Sequence, residues 1–315
     1  MNKDLIKEIK YRGHIGFYLI LYGTKISRWI RYNYKGDEQL IKDSFFERHG
    51  YRIDLNNPVT LNEKIQWLKL NSRQSISKVL CDKYLVREYI KENFGDEYLI
   101  PLIFETASPS SLKLENLPDF PFIIKANHDS GNYLIVRDKS KLDLKRALVD
   151  FKWWLSFDYF YNGREWQYKN VPRRIIVEQL LLNRSGKIPN DYKLHFINGD
   201  LEFVYVSVDR EGINKRNIYD KDWNPLYFTW AKKGVDIDKL RGPEINAPKT
   251  LEKMISFGKV IASNFPYVRV DFYDLDGVLY FGEVTEHHGS GFDLISPFEY
   301  DVLFGRKVDL GEIEK

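Results

Sequence analysis

The feature that most constrains the fold is a strand–turn–strand pattern near the C-terminus, "YVRVDFYDLDGVLYFGEVT" at 267–285. Its first half alternates apolar residues with polar or charged ones, among them Arg269 and Asp271. Such alternation is typical of an antiparallel sheet that has one face on a core and the other on a cleft. The pattern therefore predicts a β-hairpin with one charged face.

The length of the turn decides which charges share this face. With a two-residue turn at 276–277, Glu283 faces away from Asp271. With a three-residue turn at 275–277, whose glycine takes the left-handed conformation, Arg269, Asp271 and Glu283 converge. The charged face therefore requires either the longer turn or a bulge that compensates for the shorter one.

Two carboxylates beside an arginine are suited to Mg²⁺ and the phosphates that it bridges, because this hard cation takes one or two carboxylates together with phosphate oxygens. The alternative is a solvated sheet face that carries a cross-strand ion pair. The hairpin alone leaves both interpretations open.

Composition limits the class of protein. A chain of 315 residues that is 43% apolar and 15% aromatic can form one large domain or two smaller ones with a sizeable core. The net charge of +3 gives no indication of nucleic-acid binding. The single cysteine, Cys81, excludes an internal disulfide and fits a reducing compartment, so we expect a cytoplasmic location.

The N-terminal region contains no predicted membrane span. Its start, "MNKDLIKEIK", lacks the basic-then-apolar order of a secretory signal, and the apolar run at 15–22 is too short to cross a bilayer. The run and its basic, aromatic flank, 15–35 together, could form an amphipathic helix in peripheral contact with the inner face of a membrane. A buried core helix is the alternative.

The remaining patterns predict an α+β fold with antiparallel hairpins. Residues 1–75 are mainly helical in pattern, with Thr60 as a helix N-cap and Glu63 completing a capping box. Further helical patterns lie at 77–95 (ending at Gly95), 140–160 and 247–265, and strand patterns lie at 120–127, 132–138, 173–182 and 192–210. We expect a helical segment at 1–75 followed by two parts at 76–182 and 183–315.

Two other segments could bind a nucleotide. In "IIKANHDSGNYLIV" at 123–136, a strand containing Lys125 leads into a polar glycine loop, whose backbone N–H groups could hold phosphates. The glycine spacing of a Walker loop or a dinucleotide fingerprint is absent. "RRIIVEQLLL" at 173–182 ends a strand at Glu178, which could contact an adenine edge. An ordinary hairpin and an ordinary strand end are the alternatives.

The order of these segments is similar to that of the ATP-grasp superfamily. Together with "DKYLVREYI", "DYKLHFINGD" and "VSVDR", it resembles the TupA-like branch, found among teichuronopeptide and capsular polysaccharide biosynthesis proteins, over roughly residues 60–310. The resemblance implies an ATP-grasp fold, in which two α+β subdomains clasp ATP between antiparallel sheets, here preceded by the helical segment. It also implies ATP and Mg²⁺ as cofactors.

The resemblance implies a role for particular residues on the nucleotide side. Lys83 and Lys125 resemble the two phosphate-contacting lysines, and 128–132 resembles the mobile flap over the phosphates. The flap residues expected to contact the nucleotide are His128, Ser130 and Gly131. Glu178 and the backbone of Gln179, Leu180 and Leu181 resemble the adenine hinge. Asp191 and Lys193 are candidate ribose or phosphate contacts.

Asp271 and Glu283 match the Mg²⁺ ligands, and Arg269 matches the arginine that steadies the acyl-phosphate and the tetrahedral intermediate. Lys125 and Arg210 are further catalytic candidates. Many ATP-grasp enzymes have E-x-N at the second metal strand, where this chain has Thr285 in place of the asparagine. This departure from the pattern argues against metal binding at position 285.

The tail of the hairpin also departs from the family pattern. Glu286, His287 and His288 stand before "GSG", and His287, His288 and Gly289 are candidates for substrate contact. Adjacent histidines on a strand point to opposite faces, and no further Cys or His has suitable spacing, so zinc is not predicted.

The resemblance implies a carboxylate–amine ligase that forms an amide through an acyl-phosphate. Its expected substrates are an amino acid and a uronic acid of a capsule or teichuronopeptide precursor. Two alternatives stay open: a glycosyltransferase or carbohydrate kinase of the same pathway, and a non-catalytic binding or scaffold protein.

Overall fold

The computed structural model describes residues 9–11, 13–212, 214–235 and 239–311. Residues 1–8, which make up most of the segment predicted not to be a secretory signal, lie outside this range. The described helices are α1 His14–Asn33, α2 Asp37–His49, α3 Leu61–Asn71, α4 Ser77–Cys81, α5 Val86–Asn93, α6 Leu144–Trp154, α7 Phe160–Gly163, α8 Leu251–Ala262 and α9 Phe298–Lys307.

Antiparallel strands make up the sheets. The strands are β1 Leu102–Thr106, β2 Phe122–Ala126, β3 Tyr133–Val136, β4 Ile175–Gln179, β5 Asp191–Ile197, β6 Asp200–Val208, β7 Lys215–Tyr219, β8 Thr229–Ala231, β9 Tyr267–Leu275, β10 Val278–Thr285 and β11 Leu294–Ser296. They form sheets in the orders β1-β4-β2-β3, β10-β9-β5-β6-β7 and β11-β8. Helices together with antiparallel sheets confirm the predicted α+β class.

The chain divides into two compact units. The first contains the residues up to Leu40 with Pro101–Arg164 and Tyr168–Leu180. It holds α1, the four-stranded sheet, α6 and α7. Its core lies between the sheet and α6, where Phe122, Ile124 and Phe151 are fully buried.

The second unit contains Ile41–Ile100, Glu165–Gln167 and Leu181–Lys315. One face of its five-stranded sheet packs on α8, with Leu194, Val270 and Met254 fully buried there. Residues of the opposite face are aromatic near α3 and α9, and polar or charged along β9, β5 and β10. The polar part of that face is where the predicted metal residues lie.

Local interactions set the helix limits that matter for the site. The predicted capping box is confirmed, because Thr60 accepts a hydrogen bond from the Glu63 N–H and the Glu63 carboxylate accepts one from the Thr60 N–H. The single helix predicted over 77–95 is wrong. Asp82 accepts hydrogen bonds from the N–H groups of Tyr84 and the next residue, and this local alternative to helical bonding separates α4 from α5.

Candidate active site

The turn of the closing hairpin is two residues long. Leu275 pairs with Val278, and Asp276 and Gly277 between them have φ of 55° and 93°. Two successive left-handed residues are typical of the type I′ turn that Asp-Gly favours between twisted strands. The three-residue alternative is therefore wrong.

A bulge restores the charged face that the short turn would have destroyed. Phe272 pairs with Phe281, but the next pair is Asp271 with Glu283, so Gly282 is an extra residue on β10. This insertion shifts the pairing by one residue and turns Glu283 to the side of Asp271. The predicted convergence of these two carboxylates is present in the structure, through a bulge rather than a longer turn.

Gly282→Ala should disturb this arrangement. A Cβ atom at position 282 would lie 2.9 Å from the backbone oxygen of Asp271, too close for the hairpin to keep its geometry. We expect the free energy of unfolding to fall by about 1–3 kcal/mol, measured by urea denaturation. Gly23→Ala in α1 is the control, since its Cβ would meet nothing within 4 Å. Equal stability of both variants would contradict the role of the bulge.

Arg269 is the centre of the charged face. It is 7% exposed, and its Nε and Nη2 donate to the two oxygens of Asp271 at 2.6 and 2.8 Å. Nη2 also donates to Glu283 Oε1 at 2.6 Å. Burial by itself would lower the pKa of Arg269, but the charges of Asp271 and Glu283 outweigh it and raise the pKa above its usual value. The guanidinium is thus a fixed, permanent cation.

Lys193 joins this face from the neighbouring strand. It pairs with Asp271 across β5 and β9, and its Nζ donates to Asp271 at 2.7 Å and to Asp191. Asp191 Oδ1 is buried without a hydrogen-bond partner. Burial raises the pKa of Asp271, against the lowering effect of Arg269 and Lys193. Asp191 and Lys193, predicted only as ribose or phosphate contacts, therefore lie beside Asp271, one of the two predicted metal ligands.

Two more predicted residues border the same face. Lys83, in the break between α4 and α5, has its Nζ 3.9 Å from Glu283 Oε2. Arg210 approaches Asp191 to 4.0 Å, and its guanidinium lies 5.5 Å from the ring centre of Tyr273. The second unit thus gathers carboxylates and cations on one face of its sheet.

The donor set fits Mg²⁺. Oxygens of Asp271 and Glu283 both lie within hydrogen-bond distance of one nitrogen of Arg269, so the two carboxylates face the same point. Within the described ranges, no group of three or more His, Cys, Asp or Glu side chains could hold a metal ion alone. Mg²⁺ with two protein carboxylates completes its shell with phosphate oxygens and water. Thr285 donates a 3.4 Å hydrogen bond to Glu283, so its hydroxyl orients that carboxylate.

His288 holds the other end of Arg269, a contact that the sequence did not predict. Its Nδ1 lies 2.7 Å from Nη1 of Arg269. Because a guanidinium can only donate, Nδ1 accepts and the ring proton is on Nε2. Burial, together with the nearby charges of Arg269 and Lys193, lowers the pKa of His288 well below its usual value. A neutral imidazole therefore positions Arg269, and substrate contact by His288 stays a prediction.

The two residues before His288 point into the protein. His287 is 4% exposed, 3.0 Å from the amide of Gln167 and 3.7 Å from Glu165. Burial lowers the pKa of His287, against the raising effect of Glu165. Glu286 accepts a 3.0 Å hydrogen bond from Ser77. This buried cluster anchors the end of β10.

The turn that follows, with Gly289 at its exposed tip, is held from α3. Gln66 Nε2 and Lys69 Nζ donate to the backbone oxygen of Ser290 at 3.0 and 2.9 Å. Gly289 and Ser290 have φ of 56° and 57°. The predicted substrate contacts of His287 and Gly289 stay predictions.

The protonation of Glu286 should make stability depend on pH. Its pKa is raised from 4.5 to about 7, mainly by burial; the hydrogen bond from Ser77 opposes the rise and the charge of Glu165 adds to it. The protonated form stabilises the fold below pH 4.5, and that contribution is lost as the pH rises through 7. Glu286→Gln should therefore gain about 2–3 kcal/mol over the wild type between pH 5 and pH 8. Urea unfolding of both proteins checks this, and a pH-independent difference would contradict it.

In the first unit, two predicted nucleotide residues contact each other. Lys125 on β2 donates a 2.6 Å hydrogen bond to Glu178 on β4. Glu178 is 5% exposed, and Lys125 is half-buried. The cross-strand pairing of Lys125 with Ile176 puts Lys125 and Glu178 on one face of the sheet.

The predicted flap is fastened at its base. Asn127 is fully buried, accepts from the Arg174 N–H at 2.6 Å and donates to the Pro172 carbonyl at 2.9 Å. His128 is buried at 1% exposure, and its Nε2 lies 3.2 Å from the Phe157 carbonyl. Ser130 and Gly131 form the exposed tip, where Gly131 has φ of 96°.

Part of the backbone of the predicted adenine hinge already forms hydrogen bonds within the protein. The N–H of Gln179 donates to Pro101 and that of Leu180 to Pro121. Leu180 and Leu181 are buried. Backbone contacts with adenine would therefore use the other polar groups of this segment.

The family follows from comparison with known proteins. A model described as TupA-like ATPgrasp matches residues 63–309, more than half of the chain. The chain therefore belongs to the TupA-like ATP-grasp family, which confirms the predicted superfamily, branch and fold. Arg269, Asp271 and Glu283 all lie inside the matched region. No curated protein matches the chain significantly.

Several solved structures are similar to the chain at low identity. One is a D-alanine–D-alanine ligase from Bacillus anthracis complexed with ATP, 17% identical over 75% of this chain and 68% of that chain, with a TM-score of 0.44. A D-alanine–D-alanine ligase from Helicobacter pylori is 14% identical over 81% of this chain and 68% of that chain, with a TM-score of 0.42. The ATP-grasp ligase PsnB with minimal precursor, Mg and ADP is 9% identical over 72% and 58%, with a TM-score of 0.37. Against another structure of D-alanine–D-alanine ligase from Bacillus anthracis, this chain covers 63% of the length of the ligase.

Proposed function

We propose that this protein is an ATP- and Mg²⁺-dependent carboxylate–amine ligase that forms an amide and releases ADP and phosphate. The observation that carries the proposal is the contact of Arg269 with both Asp271 and Glu283 on one face of the sheet. Family membership supports the use of ATP at this face. An isolated cross-strand ion pair would explain neither the third carboxylate, Asp191, nor the additional cations.

The reaction activates a carboxylate that would not otherwise accept an amine. A carboxylate oxygen attacks the γ-phosphorus of ATP and ADP leaves, which gives an acyl-phosphate. The amine nitrogen then attacks the acyl carbon, phosphate leaves with the carboxylate oxygen, and the nitrogen loses a proton. Mg²⁺, when bound, neutralises charge on the phosphate oxygens.

The residues of the chain have distinct roles in this scheme. Asp271 and Glu283 would hold the metal. Lys83 and Lys193 beside them would neutralise phosphate charge, and Lys125 of the first unit is a further phosphate-contacting candidate. Arg269, permanently charged and held by His288, stabilises the oxyanion of the tetrahedral intermediate. Since the N–H groups of Arg269 are already held in place, little reorganisation of the site is needed when charge develops on the oxyanion. Arg210 has a supporting role beside Asp191.

Outside the charged face, Glu178 and the backbone that follows it contact adenine. The tip at Ser130 and Gly131 covers the phosphates and excludes water from the acyl-phosphate. The buried base at Asn127 supports such a flap, because it leaves only the tip to move.

The substrates that we propose are an amino acid and a uronic acid of a bacterial capsule or teichuronopeptide precursor. The match to the TupA-like model supports this choice of substrates. The proposed reaction itself requires only that one substrate has a carboxylate and the other an amine. The requirement for ATP and the single cysteine favour work in the cytoplasm, on the inner side of the membrane.

An ADP-release screen tests the assignment. Purified protein, Mg²⁺ and ATP are combined with free and nucleotide-linked uronic acids and with amino acids, omitting each substrate in turn. We expect ADP and phosphate in equal amounts only when both a carboxylate and an amine are present. ADP release with a sugar and no amine would instead identify a carbohydrate kinase. Absence of Mg·ATP binding by calorimetry would favour a non-catalytic scaffold.

A further inference from the structure

One helix presents two apolar sides. Phe17 and Leu21 of α1 are buried, Phe17 meets Trp153 edge-on, and Arg28 lies 4.3 Å from the ring centre of Phe157. The opposite side carries seven large apolar residues that are between 46% and 80% exposed: Ile15, Tyr18, Leu19, Tyr22, Ile26, Trp29 and Ile30. We call these seven residues the exposed stripe.

The exposed stripe follows the helical repeat. Each member has another member three or four residues away, so they form one continuous band along a helix of 20 residues, about 30 Å long. Singly exposed apolar residues are common on soluble proteins, but a continuous band marks an interaction surface. Large apolar side chains are also exposed on the second unit, but among the described residues no other helix carries seven of them.

Charge and residue type indicate the occupant. Residues 14–35 contain no Asp or Glu, while Lys25 and Arg31 are exposed. Tyr and Trp within the stripe combine an apolar ring with a polar group, as side chains at a headgroup boundary do. A second copy of this face would bring no carboxylate to pair with its cations. An anionic bilayer surface satisfies both the apolar band and the positive charge.

The helix would lie on the membrane rather than cross it. Over the described ranges, no helix reaches the combination of length and hydropathy that a bilayer crossing needs. The buried side of α1 is also committed to its own unit through Phe17 and Leu21. We propose that the exposed stripe of α1 docks the protein in the headgroup region of a bilayer that contains anionic lipid. This inference goes beyond the ligase assignment and does not depend on it.

Vesicle sedimentation of the full chain tests the proposal. We expect binding to vesicles of phosphatidylglycerol and phosphatidylethanolamine, weaker binding to phosphatidylcholine alone, and weaker binding at high salt. Ile26→Glu with Trp29→Glu should reduce binding at least about tenfold and leave the melting temperature unchanged, because both side chains are exposed. The matched control is Val260→Glu, at a 50% exposed position on α8.

Three results would overturn the proposal. They are a wild type that ignores anionic vesicles, a double variant that binds as well as the wild type, and a dimer in solution that the double variant dissociates without any vesicle binding. The last result would assign the stripe to a second copy of the chain. ADP release is measured without vesicles, so failure of docking and failure of the ligase assignment are separate outcomes.

Discussion

Glu283→Gln should abolish ligase turnover and leave the fold intact. We expect ADP release to fall at least about a thousandfold, because the variant loses the charge that holds the metal while keeping the size of the side chain. The carboxylate side chain is 32% exposed and lies at a bulge, so its loss should change the melting temperature little. ADP release and thermal unfolding are measured on the same preparation.

The matched control is Glu252→Gln. Glu252 is exposed on α8, and Ser256 donates a 2.8 Å hydrogen bond to its backbone oxygen rather than to its carboxylate. The Glu252→Gln variant should keep wild-type turnover. If Glu283→Gln also kept wild-type turnover, the charged face would be a structural ion-pair network and the ligase proposal would lose its main support.

His288→Ala is expected to have the next largest effect. The variant leaves Nη1 of Arg269 without its 2.7 Å acceptor, so the guanidinium loses one of the groups that fix its plane. We expect kcat to fall about 10–100-fold with little change in the KM for ATP, as is typical when a group that orients a functional residue is removed. Steady-state kinetics with saturating substrates measures both constants.

Rescue by a conservative variant separates positioning from packing. His288→Asn places an amide oxygen near the former Nδ1 and should restore most of kcat. The ring of His288 also packs 4.2 Å from that of Trp230, and both variants lose this contact. If the Ala and Asn variants lost kcat equally and in proportion to their lost stability, His288 would only fill space.

Much of the fold could be predicted from local patterns. Alternation identified the strands, and the Thr60 capping box located the start of α3. The break between α4 and α5 was missed, because 77–95 has a continuous helical pattern and the competing hydrogen bonds of Asp82 depend on its side-chain conformation. The helices α6 and α8 are also shorter than the helical patterns at 140–160 and 247–265.

The charged face shows where prediction from sequence stops. Asp-Gly favoured a two-residue turn, and Gly282 was the only signal that a bulge could follow it. The contact of Lys193 with Asp271 depends on the register in which β5 pairs with β9. The two residues are 78 positions apart in the sequence, so no local pattern reveals this pairing. The contact of Arg269 with His288 requires the polypeptide to leave β10 and turn back.

Oxygen transfer is the measurement that tests the central claim most directly. The carboxylate substrate found in the ADP-release screen is labelled with ¹⁸O in both carboxyl oxygens and converted with ATP and the amine. Phosphoryl transfer to the carboxylate predicts one labelled oxygen in the released phosphate for each amide formed. Amide formation with unlabelled phosphate, or with label in AMP, would contradict an acyl-phosphate route.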